Sequence, residues 1–289
     1  MKNPARKAVR LARSIPRLLR TLKMVYRHGG YSTVQVADIH CGEILKGKRI
    51  LITGGSRGIG FSIAGKCVQE GAHTVITGRN RDALDRARGE IDSPLLKTVV
   101  WDVSRISEME KGLAQAEKAL GGQIDILVNN AGIANGVSFP DVTEAVWDDM
   151  YATNSKGLFF LTQALCAQWM AQENDQIRKV INLSSQGGFV GAIQPYRMTK
   201  WDVAGLTQGL GVHLAPHGII VNGIAPGIIA TDMQPRFLEQ QDNAYCALNP
   251  LKRIGLPNEI ASLAIFLMSD AANFIVGQTI VCDGGYSLK

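Results

Sequence analysis

Tyr196 and Lys200 stand four apart in the run Tyr196-Arg197-Met198-Thr199-Lys200, and a serine pair, Ser184-Ser185, precedes them. Residues four apart on a helix share a face, so an ammonium lies beside a phenol. That charge favours the phenolate and predicts a Tyr196 pKa below the ordinary value of about 10. Such a phenol serves as a general acid or base near neutral pH. A serine hydroxyl nearby is suited to hold a substrate oxygen while it gains or loses charge. Each feature alone is commonplace, since a lone tyrosine is more often packing. Their order carries the signal.

A second chemistry-bearing run is Thr53-Gly54-Gly55-Ser56-Arg57-Gly58-Ile59-Gly60, placed between an apolar β-branched stretch and a segment of helical period. Glycine at 54 permits a tight turn. Glycines at 58 and 60 let backbone amides approach a pyrophosphate at the positive end of a helix. The next β-branched stretch ends Thr77-Gly78-Arg79-Asn80, with no acid to hold a ribose 2′-hydroxyl. Arg79, with Arg57 in the glycine loop, instead offers guanidinium groups matched to a 2′-phosphate. NADP(H) is the expected cofactor. Asp102-Val103, Asn129-Asn130-Ala131-Gly132 and Ser184-Ser185 follow later apolar stretches in the same way. They fall past the carboxyl ends of strands, where open α/β sheets bind ligands.

The elements that position these residues alternate. Short apolar runs at 49–53, 73–77, 98–101, 125–129, 179–183, 219–224 and 279–282 read as strands. Helical stretches fall between them at 59–70, 83–90, 106–120, 143–172 (broken) and 199–215. Strands separated by crossover helices predict one Rossmann-like, doubly wound parallel α/β sheet of about seven strands, with helices on both faces. The expected organisation is a basic amphipathic N-terminal extension over 1–30, a connector over 31–46 and a single Rossmann-like domain over 47–289.

Composition bounds the remainder. The chain has 289 residues, 46% of them hydrophobic, enough for one sizeable core. Its net charge of +6 is local: residues 1–30 carry nine Lys/Arg and no acid, leaving 22 basic against 25 acidic residues, −3, for 31–289. A body of that charge lacks the basic patch of a nucleic-acid binder, and no nucleic-acid partner is expected. Arg6, Arg10, Arg13, Arg17, Arg20 and Arg27 fall on one side of an amphipathic helix broken near Pro16, with Leu11, Ile15, Leu18, Leu22 and Val25 on another. Residues 6–27 therefore suit peripheral contact with an anionic membrane or docking to a partner; a mitochondrial targeting peptide and a plain extension are the alternatives. Five scattered cysteines without a CxxC pair suggest neither a metal site nor a disulfide framework, and a reducing, cytoplasmic setting is expected.

These motifs, in this order, resemble the short-chain dehydrogenase/reductase family, in the branch that includes bacterial 3-oxoacyl-(acyl-carrier-protein) reductases. The resemblance spans about residues 45–286 and rests on 53–60, Asp102, Asn129–Gly132, Asn154, Ser185, Tyr196 with Lys200, Pro226-Gly227 with Thr231, and Gly277-Gln278 with Asp283-Gly284-Gly285. It implies Tyr196 as general acid/base, Ser185 polarising the substrate carbonyl, Lys200 binding the nicotinamide ribose and Asn154 supporting a proton-relay water. It places the dinucleotide against Gly54, Ser56, Arg57, Gly58, Ile59, Gly60, Arg79, Asp102, Val103, Asn129, Ala131, Gly132, Pro226, Gly227, Ile229 and Thr231, besides Tyr196 and Lys200. Asp102 would reach the adenine, and Ile229 and Thr231 the carboxamide. The implied reaction moves a hydride between nicotinamide and a ketone or secondary alcohol, with a 3-oxoacyl thioester among the implied substrates, in a homotetramer or homodimer. The alternatives are a sugar- or steroid-type alcohol dehydrogenase, or a catalytically weak NADP-binding scaffold docked by its N-terminal helix. Residues 230–251, with Met233, Pro235, Phe237, Leu238, Tyr245 and Leu248, read as a substrate lid.

Overall fold

The computed structural model describes residues 42–172, 176–231 and 248–288. The basic stretch 6–27, most of the lid (Met233, Pro235, Phe237, Leu238 and Tyr245 included), Cys41 and Cys246 lie outside them.

Seven strands, β1 (Arg49–Thr53), β2 (His73–Gly78), β3 (Leu96–Val100), β4 (Ile126–Asn129), β5 (Arg178–Leu183), β6 (Ile219–Pro226) and β7 (Thr279–Cys282), form one sheet in the order β3-β2-β1-β4-β5-β6-β7. Every adjacent pair is parallel. Parallel strands need crossovers, and helices on both faces bury them, so the central strands are apolar throughout rather than alternating. Successive residues of β1 show the two sides. Ile50 and Ile52 enter one core with Ile63, Cys67, Ile76, Ile181, Ile224 and Leu267. Leu51 enters the other with Val75, Leu113, Leu127, Leu165, Trp169 and Val221.

The helices are α1 (Gly58–Gln69), α2 (Arg81–Ile91), α3 (Met109–Leu120), α4 (Glu144–Tyr151), α5 (Leu158–Met170), α6 (Pro195–Leu214) and α7 (Pro257–Met268). The break expected within 143–172 is a π-helical turn, Ala152–Gly157, joining α4 to α5. Its last residue must be small: a Cβ on Gly157 would lie 2.5 Å from the Val103 carbonyl oxygen. Helix α6 begins four residues earlier than its periodicity suggested, because Pro195 takes the first helical position, where its missing N–H costs nothing. Helix α7 escaped the periodicity reading altogether. Its sequence, with Ile260, Ala261, Ala264, Ile265, Leu267 and Met268 buried, is too uniformly apolar to show a stripe. Chain entry also precedes the expected boundary, since Leu45 is in the core and its amide donates to Glu70 O. Among the described residues no helix is long and apolar enough to cross a membrane.

The strand order reverses between β1 and β4, the topological switch where an open α/β sheet leaves a crevice at its carboxyl edge. The chemistry-bearing residues gather there.

Candidate active site

The glycine turn after β1 is fixed by side chains of β1 and β4. Thr53 Oγ1 accepts from the amides of Asn130 and Ala131, each at 3.0 Å. Asn130 Nδ2 donates back to the carbonyls of Thr53 (3.0 Å) and Gly54 (2.8 Å). The clamp brings backbones into contact. Gly54 has φ +66°, and a Cβ there would lie 2.8 Å from Ala131 Cα; one on Gly60 would lie 2.6 Å from Gly54 O. The turn opens into α1, whose first turn carries no acid and whose N-cap, Arg57, makes no side-chain capping bond. Thr53 and Asn130 were visible as part of the motifs but had no assigned role. Their signal was two hydrogen-bonding side chains flanking glycines that must approach another backbone.

Arg57 and Arg79 are both exposed and pair with no acid among the described residues. Ser56 Oγ lies 3.7 Å from where a Gly78 Cβ would sit, so the glycine turn and the end of β2 are adjacent. Asn80, next to Arg79, caps α2 by accepting from Ala83 N at 2.9 Å. Asp102 is half-buried and its Oδ1 accepts from Ser104 N and Oγ, at 3.0 and 2.7 Å. Val103 is buried beside the π-turn.

Around the second constellation the structure brings together residues from four separate segments. The Ser185 hydroxyl is near enough to the Tyr196 phenol to act on its pKa. Lys200 Nζ lies 5.7 Å from the Tyr196 ring centroid and donates to Leu183 O at 2.8 Å. A Cβ on Gly132 would stand 3.3 Å from Asn154 Oδ1 and 3.6 Å from Lys200 Nζ, which sets these three side by side. Asn154, fully buried in the π-turn, clasps the Ile133 peptide: Oδ1 accepts from its amide at 2.9 Å and Nδ2 donates to its carbonyl at 3.0 Å. Nδ2 also reaches Thr199 Oγ1 at 3.2 Å, tying the π-turn to α6. Thr199 is thus a further site residue that sequence reasoning left unassigned.

The serine pair divides its labour. Ser184 is buried and its hydroxyl donates to Lys200 O at 2.7 Å, anchoring the helix. Ser185 accepts from Gly187 N at 3.1 Å and acts on Tyr196.

One electrostatic expectation is corrected. Burial pushes the Tyr196 phenol above its ordinary value, and the nearby Ser185 hydroxyl pulls against that rise. The ammonium, 5.7 Å from the ring centroid, does not reverse it, and burial drives its own pKa down to about 8. Desolvation wins over the nearby charge. At neutral pH Tyr196 is a phenol ready to donate.

A second correction concerns Asn129. Its side chain does not border the crevice: Nδ2 donates to Thr162 Oγ1 and Asn182 Oδ1, both at 2.9 Å, within a buried network that runs on to Thr207. Pro226 and Gly227 close β6, with Gly227 N donating to Cys282 O at 3.0 Å, and a Cβ on Gly227 would lie 2.8 Å from Asp283 Cα. Ile229 is buried and bridges to Gly255. Thr231 faces the glycine turn, its Cγ2 being 3.3 Å from where a Gly58 Cβ would sit. The groove from Gly58 to Gly132 therefore stays clear because both positions lack side chains. That cradle, with an acid-free helix start at one end and Lys200 at the other, fits a dinucleotide.

The family model described as enoyl-(acyl carrier protein) reductase matches residues 54–287. The chain belongs to the short-chain dehydrogenase/reductase family. Gluconate 5-dehydrogenase of Gluconobacter oxydans is 36% identical over 249 residues, covering 85% of this chain and 96% of its own. The 3-oxoacyl-(acyl-carrier-protein) reductase of Aquifex aeolicus is 34% identical over 246 residues, 83% of this chain and 98% of its own. A crystal structure of a gluconate 5-dehydrogenase from Burkholderia cenocepacia, in complex with NADP and tartrate, matches with a TM-score of 0.78 at 32% identity, over 86% of this chain and 98% of that one. As a short-chain dehydrogenase/reductase, the protein is an oxidoreductase.

Proposed function

We propose that this short-chain dehydrogenase/reductase is NADP(H)-dependent and interconverts a ketone and a secondary alcohol, with Tyr196 as the general acid/base. The observation that carries the reading is the gathering of Tyr196, Lys200, Asn154 and Gly132 from separate segments, with Ser185 acting on the phenol. Bound NADPH supplies a hydride to the carbonyl carbon. Ser185 donates a hydrogen bond to the carbonyl oxygen and stabilises the negative charge that gathers there. Tyr196 gives its proton to the same oxygen, yielding the alcohol; the reverse oxidation returns that proton to the phenolate. Lys200, whose ammonium sits over the phenol ring and would lie 3.6 Å from a Cβ on Gly132, holds the ribose. Asn154 keeps the Ile133 peptide and α6 in register around the reacting oxygen.

Arg79 and Arg57, unpaired among the described residues, supply the 2′-phosphate contact, while the amides at the start of α1 take the pyrophosphate. Arg79→Ala is expected to weaken NADPH binding by at least about tenfold, the scale of a lost charge-assisted pair, with NADH affinity nearly unchanged. Fluorescence titration with both dinucleotides is the check, and equal losses defeat the NADP assignment. The oxidoreductase reading itself is tested by following NADPH oxidation with ketones; tight NADPH binding without turnover on any carbonyl would favour the scaffold reading.

Two further readings concern contacts with other molecules. Phe159 and Phe160, exposed on α5, line a cavity of about 720 Å³ with Tyr151, Leu206 and the charged Asp148, Lys156 and Asp202, while Trp201 and Val212 are exposed on α6. An apolar face of this size suits a homo-oligomer; a monomeric mass at micromolar concentration would count against it. The basic stretch 6–27 suits peripheral membrane contact, and unchanged liposome co-sedimentation on its removal would dispose of that.

A further inference from the structure

After β3 the stretch Trp101-Asp102-Val103 is seated at both ends in notches that glycines leave on two different helical segments. Trp101 N donates to Gly78 O at 3.0 Å, next to Arg79. The Trp101 indole lies over Gly112 of α3, where a Cβ would come within 2.2 Å of Cε2 and 2.6 Å of Cζ2. Its Nε1 is buried with no hydrogen-bond partner among the described residues, so close packing rather than a directed bond seats the ring. At the other end Val103 rests its carbonyl on Gly157, the last residue of the π-turn. A Cβ on Gly157 would lie 2.5 Å from that carbonyl oxygen and 3.0 Å from its carbon.

Between the notches the stretch has little freedom. Asp102 Oδ1 accepts from both the amide and the hydroxyl of Ser104, and Val103 is buried. Interiors packed this closely transmit a displacement instead of absorbing it. Gly157 stands three residues from Asn154, whose side chain holds the Ile133 peptide at 2.9 and 3.0 Å and reaches Thr199 Oγ1 at 3.2 Å. A push on the indole therefore arrives at Asn154 by way of the Val103 carbonyl. The same stretch carries Asp102 and Val103, the residues assigned to the adenine end of the cofactor.

We infer that Trp101, Gly112 and Gly157 are positioning residues: the stretch they seat is a strut that fixes Asn154 and the adenine wall relative to each other. The inference rests on the NADP(H) oxidoreductase reading above for its kinetic consequences. Its mechanical part is read without turnover, at the Ile133 amide that Asn154 holds.

Gly112→Ala tests the strut, because this glycine lies on α3, outside every residue assigned to cofactor or substrate. Alanine favours a helix interior over glycine, so a loss there comes from the crowded indole. Hydrogen exchange of the Ile133 amide, followed by NMR, should quicken by at least about tenfold as Asn154 loosens its hold. NADPH affinity in a fluorescence titration should fall by about tenfold or more, the usual scale of overpacking. At saturating NADPH, kcat for ethyl 3-oxobutanoate should drop by about 10- to 10²-fold, as misplacement far from the chemistry does. Gly112→Ala/Trp101→Phe removes the ring edge that the new methyl strikes and should bring all three back to within about threefold of wild type. Trp101→Phe alone adds no atom and should by itself quicken Ile133 exchange by about threefold. Unchanged Ile133 exchange in Gly112→Ala, or in Trp101→Phe where Gly112→Ala does not fold, overturns the strut. So does a double variant that recovers neither exchange nor affinity. Wild-type protein that binds NADPH yet reduces no carbonyl would overturn the oxidoreductase reading, and Ile133 exchange would still decide the strut.

Discussion

Replacing Tyr196 by phenylalanine should lower kcat for carbonyl reduction by about 10²- to 10⁴-fold, the usual contribution of a positioned acid/base. NADPH affinity should change less than about threefold, because an effect on proton transfer leaves ground-state binding in place. The ring remains, and with it the surface over which Lys200 Nζ sits at 5.7 Å. What is lost is the oxygen that Ser185 acts on. Stopped-flow measurement of NADPH consumption, paired with cofactor titration, separates the two effects. Undiminished turnover removes Tyr196 from the chemistry; loss of cofactor binding makes it a structural residue. The raised phenol pKa fixes the accompanying pH behaviour in the wild-type enzyme. The proton donor persists through neutral pH and is lost only as pH climbs past the elevated value, so reduction holds up into mildly alkaline solution. Oxidation requires the phenolate and should accelerate as pH rises.

The largest stability effect is expected far from that chemistry, at Asp125. This carboxylate and Arg178 pair with side chains only 4% and 5% exposed, at the opposite edge of the sheet from Tyr196. Asp125 Oδ2 also accepts from Arg49 N at 2.8 Å, and Oδ1 from Gln176 Nε2 at 3.0 Å, so it joins β1 to the start of β5. Arg178 in turn donates to Ile124 O at 3.2 Å and lies 6.0 Å over the Trp169 ring. Asp125→Ala leaves a buried guanidinium uncompensated, which costs about 3–5 kcal/mol. For a chain of this size that corresponds to a fall in Tm on the order of 10 °C. Asp125→Ala/Arg178→Met should recover much of the loss, since an apolar replacement no longer strands a charge. Differential scanning calorimetry of the three proteins decides it. A single variant within 1 °C of wild type would mean that water already reaches the pair.

How much of this was legible in the chain depends on what each residue does. Strands β1 and β7 coincide with their apolar runs residue for residue, because Gly and polar residues bracket them. Strand β6 runs two residues beyond its apolar core, to Pro226, since pairing with Cys282 of β7 extends it, a tertiary effect with no local sign. Helix α7 was invisible to periodicity, yet it carried another signal: Pro257 at its first position and Glu259 reaching back to Leu256 N at 2.8 Å. At the site, glycine spacing and the Tyr–Lys interval were readable because they repeat a local geometry. The inward turn of Asn129 was not, because which of two adjacent asparagines faces the crevice follows from strand alternation about a network built by Thr162, Asn182 and Thr207. The sense of the Tyr196 shift was misjudged for a related reason. Spacing places a charge near the phenol, but it cannot weigh that charge against the water that folding removes.

The wide turn at Ala152–Gly157 makes the α4–α5 rod sensitive to length in a way that composition conceals. Each residue of an α-helix advances the azimuth by about 100°. Excising one residue there would relax the swelling into regular winding and leave the flanking helices near their present azimuth, because a π-turn holds about one residue more than an α-turn. The stacked Trp147 and Tyr151 rings, 4.7 Å apart, would keep each other's company. Asn154, by contrast, would leave the Ile133 peptide it now grips. A single-codon deletion in this short stretch is therefore harsher for activity than most substitutions along the same rod, although the rod itself would become more regular.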